Sequence, residues 1–117
     1  MQNLEQIRAA HALKKATNLD KKVVNKLPAM LVNNGLLAAA AFAKDGNRDG
    51  LREAMDAVGD HLKSRGLVGA NAGNCDGIIN DLSARPSTDL QRATAEALAY
   101  LAYLKRFATK GGEDSEN

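Results

Sequence analysis

The sequence predicts an all-α fold, a compact single-domain bundle of about five to six helices, and three observations lead to this prediction. The chain has 117 residues, about the length of one domain. Apolar residues recur at helical spacings of three and four along most of it. Only four residues are aromatic and none is Trp, whereas Ala and Leu, which favour helices, are plentiful. A sandwich, a barrel and a Rossmann-type sheet are therefore disfavoured.

The first two predicted helices occupy the N-terminal third of the chain. The first runs over residues 3–18, with Asn3 as a good N-cap residue. Its predicted buried face consists of Leu4, Ile7, Ala10 and Leu13. The second begins near Asp20 and contains Pro28, which either kinks or restarts it because proline lacks a backbone N–H. The Asn-Asn-Gly sequence at 33–35 is a strong stop signal.

Four further helices complete the predicted bundle. The third, 36–44, is so rich in alanine that another helix can approach it closely, and the fourth spans about 50–64. A glycine-rich loop at 66–77 precedes a short fifth helix at 78–84. The last runs from a capping box formed by Thr88 and Gln91 to about residue 109. The helical domain is thus 1–110, and the acidic segment 111–117 is expected to be a disordered tail.

Composition and motifs exclude several classes of function. The single cysteine, Cys75, excludes an internal disulfide and a multi-thiolate metal site. No secretory signal and no membrane-spanning apolar segment is evident, which predicts a cytoplasmic protein. The two histidines, His11 and His61, are 50 positions apart, and His61 is expected at the surface. Because no catalytic or nucleotide-binding motif occurs, neither an enzymatic activity nor a cofactor is predicted.

Charge is distributed unevenly although the net charge is only +2. Residues 1–26 hold six basic and two acidic residues, and 93–110 carry a further excess of basic residues. Residues 45–60 and the tail are acidic. On an ideal helix Arg8, His11, Lys15 and Lys22 share a sector of roughly 60°. Such a basic face is typical of proteins that bind a phosphate-rich partner. The alternative is a helix face that contacts only solvent.

Two alternatives concern the acidic middle of the chain. Residues 45–56 fit the calcium-loop pattern D-x-N-x-D-G, then five residues and an acidic residue, formed by Asp45, Asn47, Asp49, Gly50 and Asp56. Against calcium, the twelfth position is Asp56 rather than Glu, and Arg52 replaces an apolar residue. The alternative is a helix-connecting loop whose Asp49 caps the next helix. A hydrolase using Asp56 and Asp60 is the other possibility, but no basic or metal-binding partner is evident for it.

Two segments carry a family resemblance, KLPAMLVNNGLLAAAAFA at 26–43 and ATAEALAYLAYLKRFA at 93–108, together with the opening LEQIRAAHAL. They resemble the small helical subunit of the type III-B CRISPR RNA-guided effector, the Cmr complex. The resemblance implies a prokaryotic antiviral protein without catalytic activity or cofactor. It also implies that several copies stack head to tail beside the guide and target RNA. The implied partners are the backbone and large subunits, further copies of the chain, and no membrane.

The resemblance suggests roles for the charged residues. The expected RNA-binding residues are Arg8, Lys14, Lys15, Lys21, Lys22, Lys105, Arg106 and Lys110. The expected protein-interface residues are Asp49, Glu53, Asp56, Asp60 and Tyr103. Tyr103 lies on the side of the last helix opposite its predicted core stripe, where it could stack on a base or pack against a neighbouring subunit.

Overall fold

The computed structural model describes residues 2–46 and 50–109, and in this part of the chain it contains seven α-helices and no strand. The helices are α1 (Leu4–Ala16), α2 (Lys21–Val24), α3 (Leu27–Asn34), α4 (Leu36–Gly46), α5 (Leu51–Ser64), α6 (Cys75–Leu82) and α7 (Ser87–Phe107). The predicted all-α fold is confirmed. Lys110 and the predicted acidic tail lie outside the described residues, as do Asn47 and Asp49.

Local capping chemistry sets where the helices begin. Asn3 and Gln6 form a capping box, since the side chain of each accepts the other's backbone N–H at 2.8 Å. This confirms Asn3 as the N-cap of α1. The capping box predicted at Thr88 and Gln91 is wrong, because α7 begins at Ser87, after Pro86, and has no side-chain cap.

Pro28 and Gly35 divide the N-terminal half into separate helices. Pro28 lies in the first turn of α3, where a missing backbone N–H removes no intrahelical hydrogen bond. The proline therefore restarts the helix rather than kinking it. Gly35 follows α3 with a φ of 93°, a conformation that is strongly disfavoured for residues with a Cβ atom, which glycine lacks. The predicted stop at 33–35 is confirmed.

The core lies between all seven helices and is filled mainly by Leu and Ala. Fully buried side chains include Leu27, Leu36, Met55, Ile78 and Leu101. Ala39, Ala40 and Ala43 of α4 are buried, and their small side chains let α6 pack closely against that helix, as the sequence predicts. Within the described residues no helix combines the length and the apolar character needed to cross a membrane.

The orientation of α1 differs from the prediction. Leu13 is 56% exposed and Leu4 and Ala10 are also exposed, whereas the buried residues of α1 are His11, Ala12 and Ala16. The predicted buried face of α1 is therefore wrong. The reason is electrostatic, because the polar side of this helix meets carboxylates on α5 and α7.

Among the glycines that the structure describes, Gly77 in α6 lies nearest to another backbone segment, and an added Cβ would overlap the backbone of Ala72. We expect Gly77→Ala to lower the free energy of unfolding by at least about 2 kcal/mol, because backbone cannot move aside as a flexible side chain can. Urea denaturation measures this change. Gly69→Ala is the matched control in the same region, since its Cβ would meet only Asp81 at an ordinary 3.5 Å. Equal stability of the two variants would contradict the prediction.

Candidate functional site

Arg8 of α1 points into the protein and forms a two-pronged ion pair with Glu96 of α7. Its Nε and Nη2 donate to Glu96 Oε2 and Oε1, both at 2.8 Å. Glu96 is only 8% exposed. A buried carboxylate needs such paired donors to offset the loss of hydration.

His11 lies next to Arg8 in this inward-facing sector and bridges α5 and α7. Its Nε2–H donates to Asp60 Oδ2 at 2.7 Å, because an ionised carboxylate can only accept. Its Nδ1 then accepts the hydroxyl hydrogen of Tyr100, also at 2.7 Å. Lys15 Nζ lies 3.7 Å from the same Asp60 oxygen. Three members of the predicted basic face therefore face protein.

His61 of α5 is completely buried, so its predicted surface position is wrong. Its ring stacks on Tyr100 with centroids 4.2 Å apart, and it meets the edge of His11 at 5.3 Å. Nε2–H donates to Glu96 Oε2 at 2.7 Å. The other ring nitrogen, Nδ1, is buried and has no hydrogen-bond partner among the described residues. The two histidines, distant in sequence, are thus neighbours in the fold.

These six residues are called the polar cluster below: Arg8, His11, Asp60, His61, Glu96 and Tyr100. Burial lowers the pKa of both histidines, and this outweighs the opposite effect of their carboxylate partners. Burial pushes the pKa of Asp60 and Glu96 upwards, but hydrogen bonds from the histidines and Arg8 outweigh it and lower both. At neutral pH the cluster therefore combines neutral imidazoles with ionised carboxylates and a charged guanidinium.

The arrangement of Asp60, His11 and Tyr100 resembles an acid-base relay that ends in a hydroxyl. Tyr100 is however fully buried, and burial raises the pKa of its hydroxyl. Its hydrogen is already donated to His11 Nδ1. The hydroxyl of Tyr100 is thus not accessible to a substrate. The three residues instead connect α1, α5 and α7 structurally.

The acidic residues of α5 lie beside the basic end of α1 in the same chain. Glu53, Asp56 and Asp60 line a groove of about 470 Å³ together with Lys14 and Lys15. Asp60 also lies 3.3 Å from Lys63 Nζ. The acidic residues of α5 were expected to face basic residues of a neighbouring copy, but part of this acidic surface already lies beside lysines of the same chain. Glu53 remains exposed, while Asp49 lies outside the described residues, so the interface assignment stays a prediction.

Asp56 has a structural role at the start of α6. Its Oδ1 accepts the backbone N–H of Cys75 at 2.8 Å, and this contact, with Asn74 as the N-cap, begins α6 earlier than predicted. Of the predicted calcium loop, Asn47 and Asp49 lie outside the described residues. The calcium hypothesis therefore stays a prediction. Burial, together with Asp56, raises the pKa of the Cys75 thiol to about 12, which makes it a poor nucleophile.

The remaining predicted RNA-binding residues are Lys14, Lys21, Lys22, Lys105 and Arg106. None of them forms an ion pair within residues 2–46 and 50–109, and all except the half-buried Lys21 are exposed. They occupy the last turns of α1, α2 and α7. Cations there also stabilise the helix dipole, so position alone does not identify an RNA contact.

Tyr103 lies on the α1 side of α7, half-buried, with its ring centroid 6.3 Å from that of Phe107. Burial, together with the carboxylate of Glu5, raises the pKa of its hydroxyl. The residue thus contributes to the contact between α1 and α7 and keeps part of its surface exposed. Its predicted roles in base stacking or subunit packing stay predictions.

Comparison with known proteins identifies the family. The profile of a family described as CRISPR-associated protein (Cas_Cmr5) matches residues 4–110. The chain belongs to the Cas_Cmr5 family. This confirms the resemblance to the small subunit of the type III-B complex, and membership makes the chain a subunit of a CRISPR-associated Cmr complex. No curated protein and no solved structure shows significant similarity to the chain.

The contacts of the polar cluster lead us to expect a large loss of stability when Glu96 is removed. Glu96→Ala leaves the charge of Arg8 and the donor of buried His61 without a partner, and we expect the free energy of unfolding to fall by about 3–5 kcal/mol. Chemical denaturation at neutral pH measures this loss. The matched control is Glu53→Ala on an exposed side chain, which should change stability by less than about 0.5 kcal/mol. A loss below about 1 kcal/mol for Glu96→Ala would contradict the role assigned to this carboxylate.

Proposed function

We propose that the chain is a non-catalytic structural subunit of the type III-B effector, stacked in several copies beside the guide and target RNA. The observation that carries this proposal is the Cas_Cmr5 match, which extends over 4–110 and so includes both basic ends of the described chain. In this role the protein contributes to antiviral defence in the prokaryotic cytoplasm. Its partners are the two RNA strands, the backbone and large subunits, and further copies of itself.

The RNA contact in this proposal is made to the phosphate backbone by exposed cations. Lysine and arginine contacts to phosphate carry no sequence information, which suits a complex that must accept any guide. Arg8 and Lys15 are directed toward Glu96 and Asp60. The proposal therefore assigns the phosphate contacts to the exposed residues Lys14, Lys22, Lys105 and Arg106, with Lys21 beside them.

A non-catalytic role is supported by the state of the reactive side chains. Tyr100 and His61 are fully buried and hydrogen-bonded to other members of the polar cluster. Cys75 is buried, and its thiol is protonated at neutral pH. These three side chains, which in other proteins can serve as nucleophiles or general bases, are thus committed to packing in this fold.

Head-to-tail stacking places two different surfaces of one chain in contact. Glu53, which is exposed, and Tyr103, which is half-buried, lie on different helices, α5 and α7, and are the candidate contacts for two such surfaces. Surface ion pairs contribute little free energy, so Glu53 would serve orientation more than affinity.

Reversing two exposed cations tests the RNA contact in the reassembled effector. We expect Lys14→Glu with Lys22→Glu to weaken target-RNA binding without loss of assembly, because each lost phosphate contact removes one counterion-release contribution. The slope of log K against log salt should become shallower by about 0.7 per lost contact. Filter binding at several salt concentrations measures both quantities.

Arg65→Glu with Arg92→Glu is the matched control, since it makes the same change in net charge at exposed positions outside the proposed contacts. It should leave both affinity and slope close to those of the unmodified complex. Equal binding by all three complexes would contradict the RNA contact, whereas failure of the unmodified chain to assemble would contradict the wider proposal.

A further inference from the structure

The attachment of α1 to the rest of the fold is mainly polar. Its buried residues are one histidine and two alanines, His11, Ala12 and Ala16, while its leucines lie at the surface. Two alanine side chains bury little apolar area and therefore stabilise the contact only slightly. The ion pair from Arg8 and the two hydrogen bonds of His11 supply the specific connections to α5 and α7.

The cluster accommodates neutral histidines and offers no acceptor for the second N–H of a protonated histidine. His61 Nδ1 is buried without a partner among the described residues, so a proton there would create a buried N–H with no acceptor. His11 Nδ1 already accepts from Tyr100, so protonation would place two donors face to face. Tyr100 would then have to turn its hydroxyl hydrogen away within a fully buried space.

We propose that the polar cluster is an acid-sensitive latch that holds α1 against α5 and α7 and releases it as one unit when its histidines take up protons. The inference goes beyond the proposed function, since it concerns the conformation of the free chain and requires no RNA. Helices α4 and α6 keep their place, because the buried alanines of α4 and Ile78 of α6 connect them through apolar contacts.

The direction of the pH effect follows from the groups around each histidine. His61 faces Glu96 and Tyr100 from α7, and His11 and Arg8 from α1, with Arg65 near it on its own helix. The groups around His11 are Asp60 and His61 from α5, Tyr100 from α7, and Lys14 and Lys15 on α1 itself.

The carboxylates favour protonation of the histidines, but burial and the nearby cations outweigh them, so the folded-state pKa of both lies below 6.5. When α1 is detached, the histidines are exposed and their pKa lies near 6.5. They therefore bind more protons than in the folded state. The latch is fully stable above pH 6.5 and weakens as the pH falls toward the folded-state pKa. In that window the opening equilibrium rises by up to about tenfold per pH unit for each linked histidine.

Amide hydrogen exchange of the full chain, expressed as protection factors, tests this inference. Between pH 6.5 and 5.5, where the exposed histidines begin to take up protons, we expect the protection of α1 amides to fall by up to about fivefold for one linked proton and up to about thirtyfold for two. The amides of α4 and α6 should keep their protection over the same range. Unchanged protection of α1, or a parallel loss in α4 and α6, would overturn the latch.

The variant His11→Gln with His61→Gln isolates the histidines. A glutamine side-chain amide can replace the donor to each carboxylate but does not titrate in this range. In this variant the protection of α1 should no longer depend on pH between 6.5 and 5.5, and retained dependence would assign the effect to other groups and overturn the proposal. If the variant does not fold, NMR titration of the histidine Cε1–H signals in the unmodified chain provides the test. A folded-state pKa at or above 6.5 for both His11 and His61 would also overturn the proposal.

Discussion

The carboxylate of Glu96 is the interaction on which the arrangement of three helices depends. It belongs to α7, accepts two hydrogen bonds from Arg8 of α1 and accepts a third from His61 of α5. An ionised carboxylate that is 8% exposed is stable only when such donors replace its water. Its presence therefore fixes which side of α1 faces inward and holds the ring of His61 against Tyr100.

The elements of this fold could be predicted from sequence because their signals are local. Asn3 and Gln6 cap a helix by themselves, and Gly35 ends one by its backbone conformation. The face of α1 could not be predicted in this way. Its apolar residues suggested a buried side, but Arg8 and Glu96 are 88 positions apart, and no local pattern indicates their pairing. The same reason explains why the sequence wrongly placed His61 at the surface.

The functional residues were predictable to a smaller extent. The family could be recognised from two segments, but the role of each cation depends on what the fold places beside it. A basic sector on α1 is equally compatible with phosphate and with internal carboxylates, and the structure pairs Arg8 with Glu96 and places Lys15 beside Asp60. Only three-dimensional contacts separate these residues from Lys14, which has no ion pair in the described part of the chain.

The basic residues of α1 therefore have two different roles, which depend on whether the side chain faces the protein or the solvent. The inward cations of α1, Arg8 and Lys15, lie against carboxylates of the same chain, whereas Lys14 is left exposed for a partner that carries phosphates. Reversal of an inward cation such as Lys15 would disturb Asp60 and with it the hydrogen bond to His11. A loss of RNA binding in such a variant would then report the position of α1 rather than a contact with RNA. For this subunit, charge reversal is informative about RNA only at positions that the polar cluster and its neighbouring ion pairs do not use.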